Sequence, residues 1–450
     1  MTTDAQGHRL EYFDQTAFEM MRATGRGQLM QCVWVYEHPV DFEGLRRFHR
    51  NFAESHGGRH IERSPLPFGR PRWVKPGRAP SEIQINETPR PRTELMDWAD
   101  ELAGLPIDPE HGPTWYLVVQ PLTDGSTAIS MVGSHVIGDG TAAGLAIFEA
   151  VTDTVRDAGY DRPGARTRRQ ALADDARQVL RDLPETRRAL VKGAKLLWGK
   201  RKELAESRKA RAGSQPDEQF VTVPSVAVII DIPEWDSRAE SLGGNSYSLL
   251  VGVTAKLAER LGRRRRSDGA VTLVIAINLR ESLEDDRALA MAFANATVDP
   301  DKVTVDLTES RAVVREARQS AKNQTDPTME LFPLMPWLPK AAVKGVAELL
   351  FSYSEDLPVS CSNLGDLPPQ IAQVDGTTAE VVILRALDQN VTLREMERSH
   401  GQLVVVSARV NGKVVISVEA YEIGAENSKQ RLRELAEATL TDFGLTAVIE

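Results

Sequence analysis

The sequence predicts an α/β protein of the α+β kind, made of two similar lobes that each set a mixed sheet against helices. Three observations lead there. The chain has 450 residues of which 41% are hydrophobic, more than one core accommodates and enough to bury two. In both halves, short apolar or alternating runs that favour strands are interspersed with runs whose apolar positions recur at helical spacing. Between the halves, from Arg162 to Gly213, the pattern turns long, polar and helical, as a crossover would.

The first lobe, residues 1–161, opens with a strand over Leu29 to Tyr36 and a helix over Phe42 to Ser55. Trp115 to Gln120 and Ser126 to Val132 are strands joined by the turn TDGS, and Ala143, Ile147, Ala150 and Val151 mark the next helix. Residues 162–219 form a basic helical crossover that contains TRRALVKGAKLLWGKRKELAESRKAR. The second lobe, residues 220–450, begins with the strand run FVTVPSVAVIIDIP. It continues through the helix NSYSLLVGVTAKLAERLG to the buried strand VTLVIAI. The arginines Arg263 to Arg266 read as a solvated turn. The stretch DPTMELFPLMPWLPK interrupts regular structure and could wall or cover a substrate entrance. QLVVVSARVNGKVVISVEAY is a hairpin turned at Asn411 and Gly412. A last helix starts at Glu426, and Gly444 caps its end.

Chemistry concentrates in GSHVIGDGTAAG, where a strand hands over to a helix. A strand-end histidine is held by packed structure and can still face a cleft, so neutral His135 is the candidate base for a hydroxyl or amine proton. Asp139 is too close along the chain to orient that ring without folding back. It reads either as the N-cap of the helix or as the partner of an arginine elsewhere. Gly140 would permit a tight backbone path into the helix. Adjacent strand residues point to opposite faces, which disfavours a relay from Ser134 to His135, and no G-x-S-x-G elbow is present.

Several function classes are excluded. A net charge of −9 argues against nucleic acid as a partner. Cys32 and Cys361 lie far apart in apolar strands and read as buried thiols, and no spacing suggests a metal site or a phosphate loop. Without a basic stretch leading into an apolar run, or eighteen consecutive apolar residues, the expectation is a cytoplasmic protein with peripheral contact to a membrane surface. Leu190, Ala194, Leu197 and Trp198 share a helical face among lysines and arginines, which suits either an interfacial helix or a crossover packed on the protein.

Several separated segments are similar to the wax ester synthase and diacylglycerol acyltransferase family. That family lies within the CoA-dependent acyltransferase superfamily, which also contains the condensation domains of nonribosomal peptide synthesis. The family pattern H-H-x-x-x-D-G is matched from His135 to Gly140, with Ser134 in place of the first histidine. VWVYEHPVDFEGLRRFHRNFAES resembles its first strand and helix, and IERSPLPFGRPRWV its R-x-x-x-P-x-x-G-x-P-x-W-V stretch. INLRESLEDDRALAMAFANATV resembles the N-L-R strand, followed after a loop by a strand that starts at Asn295. PVSCSNLGDLP resembles the S-N-x-x-G segment, with leucine where the family has proline. The likeness runs along most of the chain at low identity, carried by order and spacing.

The resemblance implies two chloramphenicol acetyltransferase-like lobes with an active-site tunnel at their interface. His135 would be the general base, Asp139 structural and Arg280 its salt-bridge partner, while Asn278, Ser362 and Asn363 would line or brace the tunnel. It implies transfer of an acyl group from acyl-CoA, a cosubstrate and not a bound cofactor, to a hydroxyl acceptor such as a fatty alcohol or diacylglycerol. One alternative is a condensation enzyme that takes its donor from an acyl carrier protein and makes an ester or an amide. The other is a catalytically idle acyl-binding or scaffold relative. Lys192, Lys195, Lys200 and Arg201 could meet the phosphates of CoA.

Overall fold

Runs rich in valine, isoleucine and aromatic residues prefer a pleated, half-buried surface, and in this chain they become strands. The computed structural model describes residues 8–77, 80–199, 219–323, 329–350 and 356–450. In chain order its strands are β1 (Gln28–Tyr36), β2 (His60–Glu62), β3 (Arg72–Val74), β4 (Gln84–Ile85), β5 (Trp115–Pro121), β6 (Thr127–Ser134), β7 (Ser225–Asp231) and β8 (Val271–Asn278). They continue as β9 (Met291–Val298), β10 (Val359–Asp366), β11 (Val381–Asp388), β12 (Gln402–Val410), β13 (Lys413–Tyr421) and β14 (Val448–Ile449). One sheet has the order β11-β1-β6-β5-β4, a larger one β14-β7-β13-β12-β10-β8-β9, and β2 pairs with β3 apart from both. Both large sheets are mixed: β10 runs parallel to β8 and β12, and β4 parallel to β5, among antiparallel neighbours.

Sheet membership cuts across the division at residue 220. β11 belongs to the second half of the chain, yet it pairs antiparallel with β1 from Gln28 opposite Asp388 to Val35 opposite Val381. A shared core follows, in which Leu29, Val33 and Trp98 pack with Ala227, Ile229 and Val415 of the larger sheet. Each fully buried side chain of this size contributes roughly 1.5–3 kcal/mol, so the sheets are joined by apolar burial as well as by the exchanged strand.

The approach to β11 is anchored on the helix Phe42–Glu54. Asp375 is fully buried and accepts the Asp41 N–H at 2.9 Å. Its carbonyl oxygen lies so close to Gly44 that a Cβ there would sit 1.7 Å away. Gly44→Ala must therefore move main chain, and a loss of about 1–3 kcal/mol is expected. A thermal midpoint within a degree of the parent's would contradict this contact.

Several local expectations change. Arg263 is buried instead of solvated, because its guanidinium donates to the carbonyls of His400 at 2.9 Å and Pro358 at 3.3 Å. The strand after N-L-R starts at Met291, and Asn295 pairs with Val274 inside it. The last helix is Lys429–Asp442 with Ser428 as N-cap, since that hydroxyl accepts the Arg431 N–H. The proline-rich stretch is not irregular where described: Met329–Trp337 winds as a 3-10 helix and Lys340–Leu350 as an α-helix, while residues 326–328 lie outside the described residues. The crossover helix Arg168–Gly199 packs through Ala189 and Gly193, the latter facing Leu331 and Leu334. Leu190 and Ala194 consequently face solvent, whereas Lys200 and Arg201, like the side chains of Leu197 and Trp198, lie outside the described residues. No helix among the described residues is long and apolar enough to cross a membrane.

Candidate active site

The site is built where β6 ends. The His135 N–H donates to the Gln28 carbonyl of β1 at 2.8 Å, which ties the motif to the neighbouring strand. Ser134 adds a local brace, its Oγ accepting the Val136 N–H at 3.3 Å. The helix Gly140–Val151 then begins with Asp139 as its N-cap, the carboxylate accepting the Ala142 N–H at 2.9 Å.

Both readings of Asp139 hold, because one carboxylate performs both tasks. Arg280 Nη1 donates to Oδ1 at 2.8 Å and Oδ2 at 2.7 Å, and the Ala290 N–H donates to Oδ2 at 2.9 Å. Arg280 Nη2 donates to the carbonyls of Arg287 at 2.6 Å and Ala288 at 3.0 Å. The two charged side chains are each only 4% exposed. Burial of such a pair contributes little net stability; its effect is to fix geometry, here that of the motif against the loop between β8 and β9.

Two residues missed at the sequence level reinforce this seam. Arg59 is buried and donates to the Ile137 carbonyl at 2.8 Å and to the Asp286 carbonyl at 3.0 Å, touching the motif and the opposing loop together. Asp14 accepts the Leu289 N–H at 3.0 Å, and burial pushes its carboxyl up to about 6. Arginines and acids of this kind are common in any sequence, so no local signal marked them.

His135 lines a cavity of about 1560 Å³ bounded by both large sheets. Pleat alternation selects its lining: Val274, Ala276, Ser360, Ser362, Val404 and Val406 face the cavity, whereas Leu273, Ile275, Cys361 and Val405 point into the opposite core. Asn278 and Asn363 also reach it, and each steadies its own segment. Asn278 Oδ1 accepts the Arg280 N–H at 3.0 Å, and Asn363 Oδ1 accepts the Gly365 N–H at 2.8 Å. Gly140 has a reason different from the one expected. Its backbone is not left-handed; a Cβ there would lie 2.7 Å from Leu364 Cδ2, so glycine allows the S-N-L-G segment to close on the motif.

Burial holds the His135 imidazole below the ordinary value of 6.5, opposed by the charge of Asp139 and a hydrogen bond to its own backbone. The ring is therefore neutral near pH 7 and able to accept a proton. A second cavity histidine, His56, is pushed down to about 4 by burial and is committed to the Ala142 carbonyl at 3.0 Å. Glu419 of β13 is a further cavity acid. Gln402 Nε2 donates to Oε1 at 3.1 Å while Oε2 has no partner among the described residues, and burial pushes the carboxyl up to about 8. Its place two residues after Ser417 in an alternating strand was the available sequence signal.

No family model matches the chain, and no curated protein does. Solved structures match along nearly its whole length. The first condensation domain of the CDA synthetase is 13% identical, with 99% of this chain and 100% of that one covered and a TM-score of 0.56. The wax ester synthase/diacylglycerol acyltransferase from Marinobacter aquaeolei VT8 is 14% identical, with 97% and 98% covered and a TM-score of 0.55. The starter condensation domain of rhizomide synthetase RzmA, in complex with C8-CoA and Leu-SNAC, is 10% identical, with 97% and 94% covered and a TM-score of 0.51. The fold is thus the one shared by these condensation domains and the wax ester synthase/diacylglycerol acyltransferase, with two lobes as expected.

Proposed function

We propose that this chain is an acyltransferase that uses His135 as general base to move an acyl group from a thioester to a hydroxyl acceptor such as a fatty alcohol or diacylglycerol. The observation that carries the reading is a neutral imidazole facing a cavity between two sheets, on a loop fixed by the Asp139 and Arg280 pair. The acceptor hydroxyl gives its proton to the ring as its oxygen attacks the thioester carbonyl carbon. The tetrahedral adduct then expels the thiolate, which takes the proton back from the imidazolium, so no covalent enzyme intermediate is needed. For a lipid acceptor, the exposed Leu180, Leu190 and Val191 of the crossover helix would meet the membrane surface that supplies it.

Ser134 in place of the family's first histidine supports a second reading, in which the acyl group comes from a carrier protein and the product is an ester or an amide. Free thiol release from a series of acyl-CoAs, measured with fatty alcohols, diacylglycerol and amines, tests the reaction. Product mass separates ester from amide, and activity with acyl carrier protein but none with acyl-CoA favours the second reading. Absence of thioester cleavage with every donor refutes both.

The pH profile carries a signed expectation. Burial lowers the His135 value, so the ring stays unprotonated as pH falls to 6.5, and kcat/KM should decline only below that point. An acid limb centred at or above 6.5 would remove His135 from the role of base.

A further inference from the structure

Among the described residues, the carboxylates lining the cavity are those of Asp139, Asp388, Glu395 and Glu419. The first three are committed. Asp139 is held by Arg280 at 2.7 Å and Asp388 by Arg26 at 2.6 Å, while Glu395 Oε2 accepts the Thr392 N–H at 2.9 Å in a capping box. Glu419 is only 6% exposed and makes no ion pair with a described residue. Gln402 Nε2 occupies its Oε1, and its Oε2 is left without a partner among the described residues.

The fold puts this carboxyl at the seam between the two large sheets. Val415, Ser417 and Glu419 share one face of β13, as alternate strand residues do. Val415 packs in the core that both sheets build, the Ser417 hydroxyl donates to the Leu384 carbonyl of β11 at 2.7 Å, and Glu419 follows at the cavity wall. His135, Gln28 and Asp388 stand in a row across the ends of β6, β1 and β11, since the Gln28 carbonyl takes the His135 N–H and Gln28 is the register partner of Asp388. The charge of Asp388 acts on the imidazole and on the Glu419 carboxyl alike, so acid and base share one chamber.

The groups facing Glu419 supply no countercharge of its own. From β11 come Asp388 and Arg385, from the helix Leu95–Leu102 comes Asp100, and from the segment before β1 comes Arg26. Arg385 donates to Gln31 Oε1 at 2.7 Å and Ser225 Oγ at 2.5 Å and pairs with Asp100, while Arg26 pairs with Asp388. Two acids thus offset two committed cations, and burial keeps the proton on Glu419 up to about pH 8. A neutral carboxyl whose carbonyl oxygen is already accepting offers a single O–H donor. In a desolvated wall its complement is a carbonyl oxygen, which satisfies that donor and brings no hydrogen of its own to place.

We propose that Glu419 is a specificity residue whose Oε2–H donates to a carbonyl oxygen of the acceptor, so that alcohols carrying a ketone or ester beside the reacting hydroxyl are preferred to plain alkanols. The inference rests on the acyl-transfer reading and narrows its acceptor. Acceptors differ in what they carry beside the hydroxyl, whereas the thioester is common to every donor.

The test compares octanol, a hydroxyoctanone and the matched amino alcohol as acceptors for the wild type, Glu419→Gln and Glu419→Leu. In the wild type, KM for the hydroxy ketone should lie about three- to tenfold below that for octanol, the contribution of one net hydrogen bond. Glu419→Gln keeps an N–H donor and should keep the preference, whereas Glu419→Leu should lose it through KM and not through kcat. The wild-type preference should fade as pH rises through about 8, where the carboxyl ionises and its donor is lost, and in Glu419→Gln it should persist. Retention of the preference in Glu419→Leu, an equal rise in KM for octanol, a change confined to the donor KM, or best use of the amino alcohol overturns the assignment. Should Glu419→Leu fail to fold, a wild-type preference that survives at high pH overturns it as well. Calorimetric titration of the hydroxy ketone into the full chain separates the two failures. Glu419-dependent binding without turnover of any thioester upholds the contact and defeats the acyl-transfer reading, whereas turnover without a carbonyl preference defeats the contact alone.

Discussion

His135→Ala is expected to lower kcat/KM for thioester consumption by about a hundred- to ten-thousandfold, the range that a positioned proton acceptor contributes. Folding should be retained, because the loop is held by groups other than the ring. The His135 main-chain N–H donates to Gln28, Asp139 caps the helix, and Arg59 holds the Ile137 carbonyl. What remains in the variant is positioning of donor and acceptor in one cavity, which still accelerates a reaction relative to bulk water. Circular dichroism and the thermal midpoint should match the parent, while thiol release falls. Turnover within a factor of two of wild type would refute the role.

The second large effect is expected at Arg280. Arg280→Met deprives buried Asp139 of its countercharge and leaves it only the main-chain donors of Ala142 and Ala290. Breaking one side of a buried pair costs about 3–5 kcal/mol. Activity should fall with it, since the loop between β8 and β9 would lose the guanidinium that gathers the Arg287 and Ala288 carbonyls. Asp139→Asn introduced together with Arg280→Met removes the orphaned charge and should recover part of the stability. Chemical denaturation of both single variants and the double one measures the coupling. Additive losses would show that the pair is not the lock described.

Much of the fold was legible because its signals are local. The β12–β13 hairpin follows from alternation and from the Asn411-Gly412 turn, where both residues adopt positive φ. The bond from Arg280 to Asp139 was legible only through family resemblance, since the two residues are far apart in sequence and neither has a local mark. Other features were hidden for physical reasons. Nothing in four consecutive arginines tells which one is buried, and Arg263 is chosen by the His400 and Pro358 carbonyls, which no spacing reveals. Of the two readings left open for the Leu190 face of the crossover helix, packing on the protein does not hold at Leu190 and Ala194, because the described interface uses small residues, Ala189 and Gly193, where a hydrophobicity pattern favours Leu190. β11 was not singled out from the sequence, and its pairing with β1 depends on tertiary structure alone.

That exchanged strand limits how the two sheets can breathe. Swinging the halves apart like a clamshell would unzip β11 from β1, and each ladder bond surrendered costs about 0.5–1.5 kcal/mol net. Under the acyl-transfer reading, donor, acceptor and product would therefore pass through the mouths of the cavity while the two sheets stay joined.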